Sequence, residues 1–141
     1  MTAKGRHGKM MIDCHTHVNF PAGDIELSEH IEACSSFDAC IVLPVSKTDN
    51  GETNSQLSRY VKKHQKMLGF AVVNPIEDKI APKLLDKLID ELGLSGIVVY
   101  CASSGFHPAH SRAMRLYELI EQKNVPIFFN NSSYFNHNAV M

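Results

Sequence analysis

Five short runs rich in β-branched and apolar residues recur along this chain at nearly even intervals. They are Met10–Val18, Ala39–Val45, Leu68–Asn74, Gly96–Cys101 and Val125–Asn130. Each reads as a buried strand. Their starts fall roughly 28 to 30 residues apart, the scale of one strand plus one helix. Between them lie stretches with the 3, 4 and 7 spacing of an amphipathic helix. Ile25–Ser35 places Ile25, Ile31 and Cys34 near one face, with Leu27 at its edge. Ser55–Gln65 aligns Leu57, Tyr60, Val61 and His64. Ile80–Leu92 aligns Leu84, Leu85, Leu88, Ile89 and Leu92, and Arg112–Lys123 aligns Leu116, Leu119 and Ile120.

The boundaries carry matching chemistry. Asn54 and Ser111 are placed to cap the second and fourth helices. Gly93 stands where a helix-ending glycine belongs. Pro82 fits a first helical turn, where its missing N–H costs nothing. Pro126 is tolerable only near the start of its strand.

Strict alternation of strand and helix predicts a parallel sheet covered by helices. The evenness of the repeat narrows this further. Doubly wound sheets vary their connections, whereas a (β/α)₈ barrel repeats one unit eight times over about 250 residues. The chain has 141 residues. The expected fold is therefore α/β, a partial (β/α)₈ TIM barrel of about four βα units plus a fifth parallel strand. Residues 1–9 read as a flexible N-terminus and 10–141 as one truncated barrel domain. There is no interdomain linker and no low-complexity segment. The tail after Asn131, including His137, reads as a long unfinished loop.

Composition removes several classes. Apolar residues make up 44% and charged residues 21%, as in ordinary globular proteins. A formal net charge of −1 gives no basic stripe for nucleic acid or an anionic membrane. No apolar run reaches the ~18 residues of a membrane span. The basic N-terminus lacks the apolar stretch of a signal peptide, so a cytoplasmic protein is expected. Cys14, Cys34, Cys40 and Cys101 form no C-x-x-C pair and read as buried free thiols. P-loop, dinucleotide-fingerprint and nucleophile-elbow motifs are absent from the sequence.

The chemically specific motif is Ile12-Asp13-Cys14-His15-Thr16-His17. Side chains alternate along a strand, so Asp13, His15 and His17 are expected on one face. Ile12, Cys14 and Thr16 are expected on the other, toward the helices. Two imidazoles at i and i+2, near the C-terminal end of a first barrel strand, can bind one divalent metal.

From these residues onward the chain resembles the amidohydrolase superfamily, in the branch called amidohydrolase-2. The likeness extends to Asn54 and its helix, Gly69–Pro75, Glu91–Ile97, the Tyr100–Pro108 loop with Gly105-Phe106-His107-Pro108, and Tyr117-Glu118 followed by Asn124–Phe129. It covers nearly the whole chain after residue 10 and implies an N-terminal half. The resemblance implies a divalent metal, most often zinc, held by His15 and His17, with Asp13 supporting them from the same face. It also implies a histidine ending strand five and an aspartate ending strand eight, and a metal that activates water or polarises a carbonyl. The chain departs from the pattern at strand five, where Asn130 stands in the histidine's place as a weaker third ligand. The strand-eight aspartate has no candidate. His107 and Tyr100 fall in the loop region where substrate would lie.

The implied function is metal-dependent hydrolysis or non-oxidative decarboxylation of a small carbonyl or carboxylate compound. The alternative is a non-catalytic half-barrel serving as a binding or assembly module. Half a barrel exposes two sheet edges. A homo-oligomer or a complementing second half is therefore the expected partner, beside the small-molecule substrate. His107 and His110 also admit a plainer reading, as a turn residue and a helix-starting histidine. Lys47, Asp49, Asn50 and Glu52 read as a solvated loop.

Overall fold

The computed structural model describes residues 8–131. Expectations for residues 1–7 and for the tail from residue 132, including His137, lie outside the described residues.

Each expected strand forms. They are β1 (Ile12–Val18), β2 (Ala39–Pro44), β3 (Met67–Val72), β4 (Gly96–Val99) and β5 (Ile127–Phe129). All four pairings are parallel, and the order is β1-β2-β3-β4-β5. Sequential order with every connection helical is what a barrel requires. A ring contact shows the curl. The His15 and Phe128 ring centroids, on β1 and β5, are 5.0 Å apart. In a flat sheet four strand spacings would hold those strands roughly 19 Å apart. The sheet is a curled half-barrel.

The helices are α1 (Asp24–Cys34), α2 (Thr53–Lys62), α3 (Pro82–Leu85), α4 (Cys101–Ser104) and α5 (Ser111–Lys123). Two layers of side chains result. Outward positions such as Cys40, Val42, Ala71, Val73, Ile97 and Val99 pack beneath the helices. Inward positions Leu43, Phe70, Val72, Val98 and Tyr100 form a second cluster on the concave face, joined by Ile41 and Phe128. Gly69 allows the close approach of α2. A Cβ there would lie 2.8 Å from Leu94 Cδ2 and 3.2 Å from both Leu57 Cγ and Val61 Cγ2. None of the described helices is long and apolar enough to cross a membrane.

Several boundary expectations change. Asn54 is not a cap. It lies inside α2, 2% exposed, and its carboxamide bonds the backbone of Val72 in both directions. Asp49 ends the helix instead, its Oδ1 accepting from the Asn54 N–H at 2.7 Å. Lys47, Asn50 and Glu52 of that loop are exposed as expected, while the half-buried Asp49 ties it to α2 and Lys47 Nζ donates to the Ser103 carbonyl at 2.9 Å. Ser111 is the first residue of α5, and His110 is its cap, with Nδ1 accepting from the Arg112 N–H. Pro82 and the positive-φ Gly93 stand where expected.

The helix expected over Ile80–Leu92 is α-helical only to Leu85. It widens into a π-helical run over Asp86–Glu91, and Leu92 N bonds Lys87 O at 2.9 Å. The fourth strand stops at Val99, because Cys101 begins the short α4. The buried face of α1 also differs. Ile25 is 78% exposed and Ile31 lies at the surface, while Leu27, His30 and Cys34 turn toward the sheet. Those three share the 3 and 4 spacing of one helix face, with His30 in the central place.

Candidate functional site

The concave face at the C-terminal end of β1 carries His15 and His17. Their Nε2 atoms are 2.7 Å apart and their ring centroids 4.6 Å apart. Both rings therefore aim at one point, as the sequence spacing predicts. His17 is partly buried, and its ring sits 6.5 Å from that of Tyr100. Burial, then the neighbouring His15, lowers the His17 pKa, against an opposing contribution from the Leu43 backbone. The ring is thus held neutral, the form in which imidazole binds a metal. Its Nδ1 is buried and makes no hydrogen bond of normal geometry.

At this distance one ring can donate an N–H to the other, or the pair can flank an ion. A metal bonded to both at about 2.1 Å would hold the nitrogens about 3 Å apart at a right angle and more at a tetrahedral angle. The pair fits an ion after opening by a few tenths of an ångström. Among the described residues no group of three His, Cys, Asp or Glu could hold a metal. The donors here amount to part of a coordination shell.

Asp13 is not on this face, which corrects the simple alternation. Asp13 pairs with Cys40, and Thr16 pairs with Val42. One extra residue therefore stands on β1 between them, a β-bulge. The bulge reverses the parity, so Asp13 and Thr16 both face the helices. Asp13 raises the pKa of both His30 and Cys34 through its charge, although burial lowers His30 overall. Its Oδ1 accepts from the His15 backbone N–H at 3.0 Å, so it supports the bulge and not the rings. Cys14 lies within the bulge and is exposed, against the expectation of four buried thiols; Cys34, Cys40 and Cys101 are buried.

The remaining candidates divide. Tyr100 is buried beside His17 on the concave face, and its hydroxyl donates to the Pro44 carbonyl. Asn130 is 4% exposed and follows β5, its N–H bonded to Val99 O at 2.9 Å. It lies one inward position beyond Phe128, the residue whose ring meets His15. His107 is exposed, and its Nδ1 accepts from the Ala109 N–H at 3.0 Å, forming a turn. The structure gathers His15, His17, Tyr100 and Phe128, and gives His107 no contact with them. Sequence reasoning overlooked Thr16 and His30, whose Oγ1 and Nε2 are 2.9 Å apart directly behind the pair. The available signal was His30 itself, a polar residue at the centre of the buried stripe of α1.

No family profile matches the chain, and no curated protein sequence does. Solved structures do match in shape. A 5-carboxyvanillate decarboxylase from Novosphingobium aromaticivorans, with bound manganese and 3-methoxy-4-hydroxy-5-nitrobenzoic acid, superposes with a TM-score of 0.71 at 13% identity. A 2,6-dihydroxybenzoate decarboxylase from Rhizobium gives 0.71 at 14% identity. A structure described as amidohydrolase II gives 0.67 at 16% identity. The likeness is one of fold, that of half a (β/α)₈ barrel. These matches cover 89%, 94% and 92% of this chain but only 51%, 53% and 53% of the other chains. The chain thus spans about half the length of the structures it resembles.

Proposed function

We propose that this chain is the N-terminal, metal-holding half of an amidohydrolase-like enzyme acting on a small carbonyl or carboxylate compound. The observation that carries this reading is the convergence of the His15 and His17 Nε2 atoms on the concave face of the half-barrel. That face, at the C-terminal ends of the strands, is where barrel enzymes place their chemistry. A divalent ion, when bound, supplies the Lewis acidity that lowers the pKa of water or polarises a carbonyl.

The chain's own groups have separate tasks. His15 and His17 offer imidazole nitrogens. Asn130 offers an amide oxygen at the end of β5, a hard donor that suits manganese better than zinc. Zinc, the metal suggested by the sequence, and manganese, bound by the Novosphingobium decarboxylase, are the two ions to compare. Phe70, Val72, Val98 and Tyr100 form an apolar floor that keeps water out. Tyr100 and the more distant His107 are assigned to the substrate side. Hydrolysis and non-oxidative decarboxylation are both compatible with this arrangement, since fold alone does not choose a reaction. Among the described residues β1 and β5 end the sheet, and these edges are assigned to a complementing second half or to a homo-oligomer. A cytoplasmic setting is part of the same reading.

Elemental mass spectrometry of the purified chain tests the proposal, with a His15→Ala/His17→Ala control. The expected result is close to one zinc, manganese or iron per chain, lost in the control. Metal content no higher than the control's would refute metal holding by this half and leave the non-catalytic binding module as the reading. Retained metal would then justify a screen of lactones, amides and aromatic acids.

A further inference from the structure

A second polar chain runs behind the strand that carries the two histidines. Thr16 lies between them in sequence and faces the helices. Its Oγ1 is 2.9 Å from His30 Nε2 on α1. The other ring nitrogen, His30 Nδ1, is 2.7 Å from the Tyr60 hydroxyl on α2. Three elements are thus joined by side chains alone. These side chains lie beneath the helices, where the buried Cys34 has its Sγ 3.7 Å from His30 Nε2 and Asp13 acts on His30 through its charge. Polar groups placed there are costly unless paired. Here both ring nitrogens of a neutral histidine have a hydroxyl partner able to donate or accept. Burial keeps the Tyr60 hydroxyl protonated, its pKa pushed up to about 12. A leucine would fill the same space, so packing alone does not account for a histidine here.

The position of this chain matters because β1 is bulged. Between Asp13–Cys40 and Thr16–Val42 the ladder to β2 loses register. A bulge leaves one residue unpaired and re-aims the side chains beside it. His15 lies in that unpaired stretch, and His17 lies beyond it. Backbone pairing with β2 therefore does not by itself fix one ring relative to the other. Thr16 is the residue at which pairing resumes, and it is the one held from behind.

We infer that His30, braced by Tyr60 and bonded to Thr16, is a positioning residue that fixes the end of the β1 bulge and so sets the convergence of His15 and His17. The inference rests on the proposed role of those two residues as metal ligands, but the brace itself exists without metal. It assigns a task to a side chain on the far side of the sheet that touches neither imidazole.

The test uses the full chain with ¹⁵N-labelled histidine. Ring ¹⁵N resonances of His15 and His17 are recorded without metal, and Co²⁺ affinity is then measured by titration. His30→Phe removes both hydrogen bonds, whereas His30→Gln keeps an amide able to reach Thr16. The expected result is displaced His15 and His17 ring resonances in His30→Phe and a loss of Co²⁺ affinity of roughly 10-fold, the scale of a lost supporting interaction. Wild-type-like behaviour is expected in His30→Gln. Should His30→Phe fail to fold, Tyr60→Phe removes the brace at its far end, and a smaller displacement in the same direction is expected. Unchanged ring resonances in a folded His30→Phe or Tyr60→Phe would overturn the inference. The two proposals separate cleanly. A wild-type chain that binds no Co²⁺, but whose rings move in His30→Phe, defeats the metal reading and keeps the brace. A chain that binds Co²⁺ equally in wild type and His30→Phe, with the rings unmoved, does the reverse.

Discussion

Replacing Asn54 tests how the half-barrel is held open at its functional end. The pairing of β2 with β3 stops at Val42–Gly69, and beyond it the strands diverge. Val72, fully buried, would be left with its N–H and C=O facing no strand. The Asn54 carboxamide fills that place, with Nδ2 donating to Val72 O at 2.9 Å and Oδ1 accepting from Val72 N at 2.8 Å. One side-chain amide stands in for the missing backbone amide of a neighbouring strand. Asn54→Ala removes both bonds and strands two buried backbone groups, each worth about 1–3 kcal/mol when unpaired. Alanine regains about 0.5 kcal/mol of helix propensity. The expected net loss is about 3 kcal/mol, a large share of the roughly 5–15 kcal/mol available to a domain.

Urea unfolding followed by circular dichroism measures this loss as a lower midpoint at unchanged slope. Asn54→Asp sharpens the result. Its carboxylate can accept from Val72 N–H but cannot donate to Val72 O. Only the protonated acid can donate, so folding raises its pKa and its deficit against wild type should shrink as pH falls. A loss below about 1 kcal/mol for Asn54→Ala, the value of a surface substitution, would refute the reasoning.

Three further outcomes follow from the packing and the ionisable groups. Gly69→Ala should cost about 1–3 kcal/mol by urea unfolding, because the new Cβ would force the buried side chains of Leu94, Leu57 and Val61 to shift. Stability should fall on acidification. His17 and His30 both have pKa values lowered by burial from the ordinary 6.5, so the unfolded chain binds more protons below that value. The loss should begin near pH 6.5, continue down to the folded values, and be shallower in His30→Gln; a melting temperature flat from pH 7 to 5 would contradict it. In the native chain a maleimide should modify Cys14 within minutes and leave Cys34, Cys40 and Cys101 intact, since only Cys14 is exposed. Peptide mass spectrometry reads this directly, and rapid labelling of Cys40 would count against the outward core.

Much of the site was legible before the structure. The His15–His17 pair, its place at the end of β1, and the five-strand order all came from local pattern. The two imidazoles end on one face although His15 lies in the bulge, because pairing resumes at Thr16 with both rings on the concave side. The face of Asp13 was not legible, because it lies across the bulge, and a single extra residue reverses every side chain before it. No residue in the Ile12–His17 segment announces a bulge. The bulge is defined only by which residues of β2 stand opposite. Asn54 was misread for a related reason. Its position before an apolar stripe suits a cap, yet the unfilled Val72 amide that recruits it lies 18 residues away.

The sequence by itself determined the repeating βα unit, the parallel sheet and the paired imidazoles, because hydrophobic period and side-chain alternation act over a few residues. Only the tertiary structure decided the rest. The curl of the sheet brings β1 and β5 within ring contact. The bulge turns Asp13 outward, and the Thr16–His30–Tyr60 chain crosses three elements. Each of these depends on registers between segments distant in the chain. Register is settled by the mutual fit of whole surfaces, which no local window of residues contains.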